Sequence, residues 1–120
     1  MSTIRLKINI SNIELQEIEQ NHQILLTKMS LDDMKQIQDT VFDSLTDKDG
    51  APQVGDLFVS IFDMDNLKTK GRFRLTFNIN RQFCCSDINS CKSDYIDLNF
   101  TYVNDQFEAV GSFMNWDMDN

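Results

Sequence analysis

Residues 70–83 read KGRFRLTFNINRQF, and in them Phe73, Leu75, Phe77 and Ile79 alternate with Arg72, Arg74, Thr76 and Asn78. Successive side chains of a strand point to opposite faces, so this spacing reads as a strand buried on one side only. Downstream, DYIDLNFTYV at 94–103 repeats the pattern with Ile96, Leu98, Phe100 and Tyr102 on one face. A further strand is expected at 106–115, with Asn104 and Asp105 at the tight turn of a hairpin. Upstream, 56–64 supplies another strand, and Ile4, Leu6, Ile8 and Ile10 alternate with Arg5, Lys7 and Asn9 to predict a first strand over 3–10.

The segment between the first strand and residue 50 changes period. Ser11 stands three residues before Glu14, the spacing at which the two side chains cap each other's exposed helix amides. Leu15, Ile18, His22, Leu25 and Met29 then recur at three and four, which predicts one helix from about 12 to 28. Ser30 and Asp33 repeat the cap, and Met34, Ile37, Val41, Phe42 and Leu45 carry a second helix to about 46. Asp47, Lys48, Asp49, Gly50 and Pro52 mark the change from helix to sheet. The expected architecture is one α+β domain over residues 1–120, with two helices packed on one face of an antiparallel sheet of about five strands in the order β-α-α-β-β-β-β. A chain of 120 residues is long enough for one core, which buries roughly two-thirds of the unfolded surface.

Composition narrows the function classes. A formal charge of −8 argues against unaided binding to nucleic acid or to an anionic membrane, because phosphates are held by concentrated Lys and Arg. The first ten residues alternate apolar and charged, and no run nears the roughly eighteen apolar residues of a membrane span, so a cytoplasmic protein is expected. In that compartment Cys84, Cys85 and Cys91 read as free thiols. Their CCx5C spacing matches no common zinc knuckle, even with His22 as a fourth ligand. His22, the sole histidine, falls in the apolar stripe of the first helix and reads as packed rather than catalytic. The four glycines, at 50, 55, 71 and 111, are too scattered for a phosphate-cradling loop, and no nucleophile elbow occurs. These residues predict no catalytic set, no cofactor and no metal ligands.

The acids are segregated. Asp32 to Asp65 contains nine Asp against Lys35 and Lys48 alone. On the second helix Asp32, Asp39 and Asp43 fall within a stripe about 40° wide, opposite Met34, Ile37, Val41 and Leu45. Like charges at helical neighbours repel, so such a stripe either is an ordinary solvated face or is kept for a cationic partner. Asp47, Asp49 and Asp56 extend it through the following loop. DKDG at 47–50 is similar to the centre of a calcium loop, but alignment on Gly50 places Leu45 where the first ligand belongs.

Phe62-Asp63-Met64-Asp65-Asn66 is echoed by Trp116-Asp117-Met118-Asp119-Asn120. Both are expected at strand ends, where Asp63, Asp65, Asp117 and Asp119 form a secondary acidic rim or chelate a hard cation. Lys68, Lys70, Arg72 and Arg74 share one face of their strand and are expected to pair with Asp63, Asp65 or Asp97 on its neighbours.

A small, acidic α+β domain with acid blocks such as LDDMKQIQDTVFDSLTDKDG and two DMDN ends resembles the immunity proteins that protect bacteria from polymorphic or contact-dependent inhibition toxins. The resemblance is one of type and rests on no diagnostic motif. It implies a non-enzymatic toxin inhibitor whose protein partner is a basic, nuclease-like toxin domain covered by an acidic surface. The partner-binding residues would then be Asp32, Asp39, Asp43, Asp47, Asp49 and Asp56. Two other readings stay open: a metal-binding protein or metal-dependent enzyme using the DMDN pairs, and a small-ligand domain with a Phe- and Met-lined pocket between helices and sheet.

Overall fold

The alternating segments all become strands of one sheet. The computed structural model describes residues 2–45, 48–82 and 89–113. Its elements are β1 (Ser2–Asn9), α1 (Asn12–Gln20), α2 (Ile24–Lys28), α3 (Leu31–Ser44), β2 (Gln53–Met64), β3 (Lys70–Gln82), β4 (Asn89–Val103) and β5 (Gln106–Phe113). The five strands are antiparallel throughout and ordered β1-β5-β4-β3-β2. The fold is therefore α+β, with all the helices inserted between the two outer strands of the sheet.

Each apolar strand face that alternation predicts is the buried one, whereas Phe42 of the second helix's expected apolar set is 42% exposed. Ile4, Leu6, Ile8 and Ile10, then Phe73, Leu75, Phe77 and Ile79, then Ile96, Leu98 and Phe100 are all buried, and Phe107, Ala109 and Phe113 complete the layer from β5. The register aligns them, with Phe73 opposite Leu98 and Leu6 opposite Ala109. Leu15, Ile18, Leu25, Ile37, Val41 and Leu45 close the core from the helical side. At the β4–β5 hairpin Asn104 and Asp105 both have positive φ, 54° and 59°, as a type I′ turn requires. Tyr102 locks this end by donating from its hydroxyl to the Ile10 carbonyl at 2.8 Å.

The helix expected over 12–28 is two helices. α1 ends at Gln20, and Asn21 is extended at φ −142°, ψ 100°. Its side chain accepts a bond from the Gln23 amide at 3.1 Å, a local alternative to helical bonding that Asn offers readily. The break turns His22 onto the Phe62 ring, with centroids 5.2 Å apart. β2 also differs from simple alternation. It starts at Gln53, and its pairing with β3 shifts between Gly55 and Phe58 and again between Val59 and Ile61. The two bulges change which parity faces inward, so Val59 and Phe62 both pack toward the core.

Gln36 and Gln38 point to nearly opposite sides of α3, since two residues advance a helix by about 200°. Gln36 nevertheless bonds β1 and Gln38 bonds β2. The sheet therefore curls, bringing its two outer strands to either flank of α3. The strand faces turned away from the helices carry no covering layer among the described residues.

Candidate functional site

α3 is built to hold carboxylates in place. The Ser30 hydroxyl accepts from the Asp33 amide at 3.1 Å, and the Asp33 carboxylate accepts from the Ser30 amide at 3.0 Å. This reciprocal cap fixes the first turn, and Asp33, only 8% exposed, is used up in it. With Ile37 and Val41 buried, Asp32, Asp39 and Asp43 stand in solvent on the opposite side. Among the described residues none of these three carboxylates makes a hydrogen bond or ion pair. Lys48 is turned to the end of the helix, where it donates to the Leu45 carbonyl at 2.7 Å and lies over the Phe42 ring.

The other described aspartates have structural partners. Asp63 faces Arg72 at 3.5 Å, and Asp97 holds Arg74 through two bonds of 2.7 and 3.0 Å. Asp65 accepts from the Thr69 amide and hydroxyl, both at 2.9 Å, and Asp105 accepts from the Tyr102 hydroxyl at 3.3 Å. The Asp94 carboxylate accepts from the Tyr95 amide. Asp49 offers its carbonyl to Arg81 at 2.7 Å and has further contacts of its own. Asp56 has φ 53° at the first bulge of β2 and accepts from Asn78 at 2.9 Å.

The surface expected from Asp32 to Asp56 therefore divides. Asn78 lies between the inward-facing Phe77 and Ile79, so its partner Asp56 belongs to the open side of the sheet, across the molecule from α3. Asp32, Asp39 and Asp43 stay together. Asp49 is exposed in the turn before β2, and Asp47 lies outside the described residues. Leu45, which calcium-loop alignment would make a ligand, is a core residue at 4% exposure.

The first DMDN copy does not present two parallel carboxylates. β2 ends at Met64, so Asp63 projects from the strand toward Arg72 while Asp65 turns back to cap the loop that follows. The Thr69 amide holds the Asp65 carboxyl below its ordinary range. Asp117 and Asp119 lie outside the described residues, as do Cys84, Cys85 and the side chain of Cys91. Among the described residues no three His, Cys, Asp or Glu side chains converge on a metal position.

The basic ribbon is largely paired within the chain. Arg74 sits 4.0 Å over the Tyr95 ring while gripping Asp97, whose carboxyl that guanidinium lowers. Lys68 reaches Glu19 on α1 at 2.6 Å. Near Lys70 and Arg72 the open side of the sheet carries a concavity of about 690 Å³, bordered also by Asp63, Asn99, Glu108 and Val110. It lies on the opposite side of the sheet from the Phe-rich core, where sequence placed a ligand pocket.

Three residues with structural work were not singled out from sequence: Gln23, Gln36 and Gln38. Each bonds the backbone of an outer strand, and no periodicity marks them, because what they recognise is distant in the chain. Compared with family models, curated proteins and solved structures, the chain matches none. No helix among the described residues is long and apolar enough to cross a membrane.

Proposed function

We propose that this chain is a non-enzymatic protein-binding module, and specifically an immunity-type inhibitor that covers a cationic surface of a toxin domain in the cytoplasm. One observation carries the reading: Asp32, Asp39 and Asp43 project from one helix with a reciprocal N-terminal cap and, unlike the other described aspartates, their carboxylates have no partner among the described residues. Repulsion along the stripe is a small but standing cost to the helix, which a cationic partner would remove. Carboxylates held in a fixed array also steer association and raise its rate.

The test is co-expression with the product of the neighbouring open reading frame, followed by calorimetric titration. A basic partner should bind with an affinity that falls steeply between 50 and 500 mM NaCl, and Asp39→Ala plus Asp43→Ala should weaken it by about tenfold or more. Affinity indifferent to salt and to both substitutions would remove the electrostatic mechanism. The concavity beside Lys70 and Arg72 favours a second reading, a small anionic ligand on the open face. A thermal-shift screen of such ligands, with Arg72→Ala as control, decides it.

A further inference from the structure

The outer strand of any sheet presents a row of backbone N–H and C=O groups that another chain can pair with. In β2 two positions of that row, Val54 and Val59, are occupied by side-chain amides. Gln23 donates from Nε2 to the Val59 carbonyl at 2.7 Å and accepts from the Val59 amide at 2.9 Å. Gln38 repeats the arrangement at Val54, with bonds of 3.2 and 3.3 Å. A primary amide carries the same donor and acceptor as a peptide unit, so each glutamine presents to β2 what a neighbouring strand residue would. On the other outer strand the Arg5 amide donates to Gln36 Oε1 at 2.8 Å.

Their placement follows from features that otherwise lack a purpose. Gln23 reaches Val59 because α1 stops at Gln20 and Asn21 holds the Gln23 amide. Gln36 and Gln38 reach opposite outer strands because α3 lies between them. β2 itself is bulged twice between Gly55 and Ile61, a second device that makes a sheet edge a poor template.

We propose that Gln23 and Gln38 are edge guards, which fill the pairing positions of β2 and so prevent a second copy of this chain from adding to the sheet. A second copy is the partner that the geometry fits. Val54 and Val59 both turn their backbone groups outward, so an antiparallel two-fold midway between them sets Val54 of one copy against Val59 of the other. The formal charge of −8 opposes that approach at low salt and loses its reach at high salt.

The experiment is amide exchange by NMR together with sedimentation velocity in 0.5 M NaCl. In the wild type, the Val54 and Val59 amides should exchange about 100-fold more slowly than open edge amides, in a monomer at every concentration. Gln23→Ala should release Val59 alone, and Gln38→Ala should release Val54 alone. The double variant should dimerise as concentration rises, with both amides protected again in the dimer. Wild-type amides that exchange freely, or single variants that leave their amide protected, would overturn the proposal even if the double variant did not fold. A folded double variant that stays monomeric would overturn it as well.

Discussion

Asp39 and Asp43 stand one helical turn apart on the exposed side of α3, and the last turn of that helix carries no basic residue. Both facts act against the helix: the pair repels, and Asp43 sits near the negative end of the helix dipole. Asp43→Lys reverses both effects and should stabilise the protein by about 1 kcal/mol, or about 3–5 °C in Tm. Thermal melts in 20 and 500 mM NaCl check this, because the gain should shrink with salt. In a partner-binding assay the same substitution should lower affinity, so stability and binding would move in opposite directions.

Gly71 faces the inner side of β3 where β2 comes closest. A Cβ there would overlap the Asp63 carbonyl and lie 2.8 Å from the Phe100 ring. Backbone cannot yield as a side-chain tip can, so Gly71→Ala should force β2 away from β3 and cost about 3 kcal/mol or more. Urea denaturation followed by circular dichroism measures the loss, and a change below about 0.5 kcal/mol would contradict the packing described.

Ser30 and Asp33 form a closed pair at the start of α3. Ser30→Ala removes the hydroxyl that accepts from the Asp33 amide and leaves that N–H without its cap, while the Asp33 carboxylate keeps its bond from the backbone amide of residue 30. The expected loss is about 1–2 kcal/mol, with Ser30→Thr close to wild type. The urea midpoint of the two variants separates them.

Stability should fall in acid through groups that can be named. Glu14 is lowered from an ordinary 4.5 to about 2, first by the Lys28 ammonium 2.5 Å away and then by the Ser11 amide. A carboxyl lowered on folding contributes stability above its unfolded value and loses it as pH falls toward the folded one, here from about pH 5 to pH 2. Asp65 and Asp97 act in the same sense. Asp94, raised by burial, acts in the opposite one, because protonation relieves it. Glu14→Gln should therefore be destabilising at pH 7 and indistinguishable from wild type near pH 2, as urea titrations across that range would register.

Much of the fold was legible locally. The two-residue period of β1, β3 and β4 and both serine caps are properties of neighbouring residues, and each appears as read. The break after Gln20 was not legible, because Leu25 and Met29 continue the apolar spacing through it while only Asn21 hints at a stop. The twice-shifted register of β2 was hidden for a related reason. A bulge is defined by the partner strand, and Asp56 and Ser60 carry no local mark of it.

The candidate site divides along the same line. Sequence alone determined the stripe of Asp32, Asp39 and Asp43, since helical period and a buried opposite face suffice to place them together. It also placed Arg72 and Arg74 on one face of their strand within reach of Asp63, Asp65 or Asp97, of which Asp63 and Asp97 pair with them while Asp65 caps the loop. Only the tertiary structure decided that Asp56 leaves the stripe for the open sheet, and that Gln23, Gln36 and Gln38 bond single positions on the sheet's two outer strands. The physical reason is range: side-chain periodicity is set by adjacent residues, whereas edge bonding depends on groups 16 to 36 positions apart, and strand order on β1 meeting β5 at separations of 97 to 111.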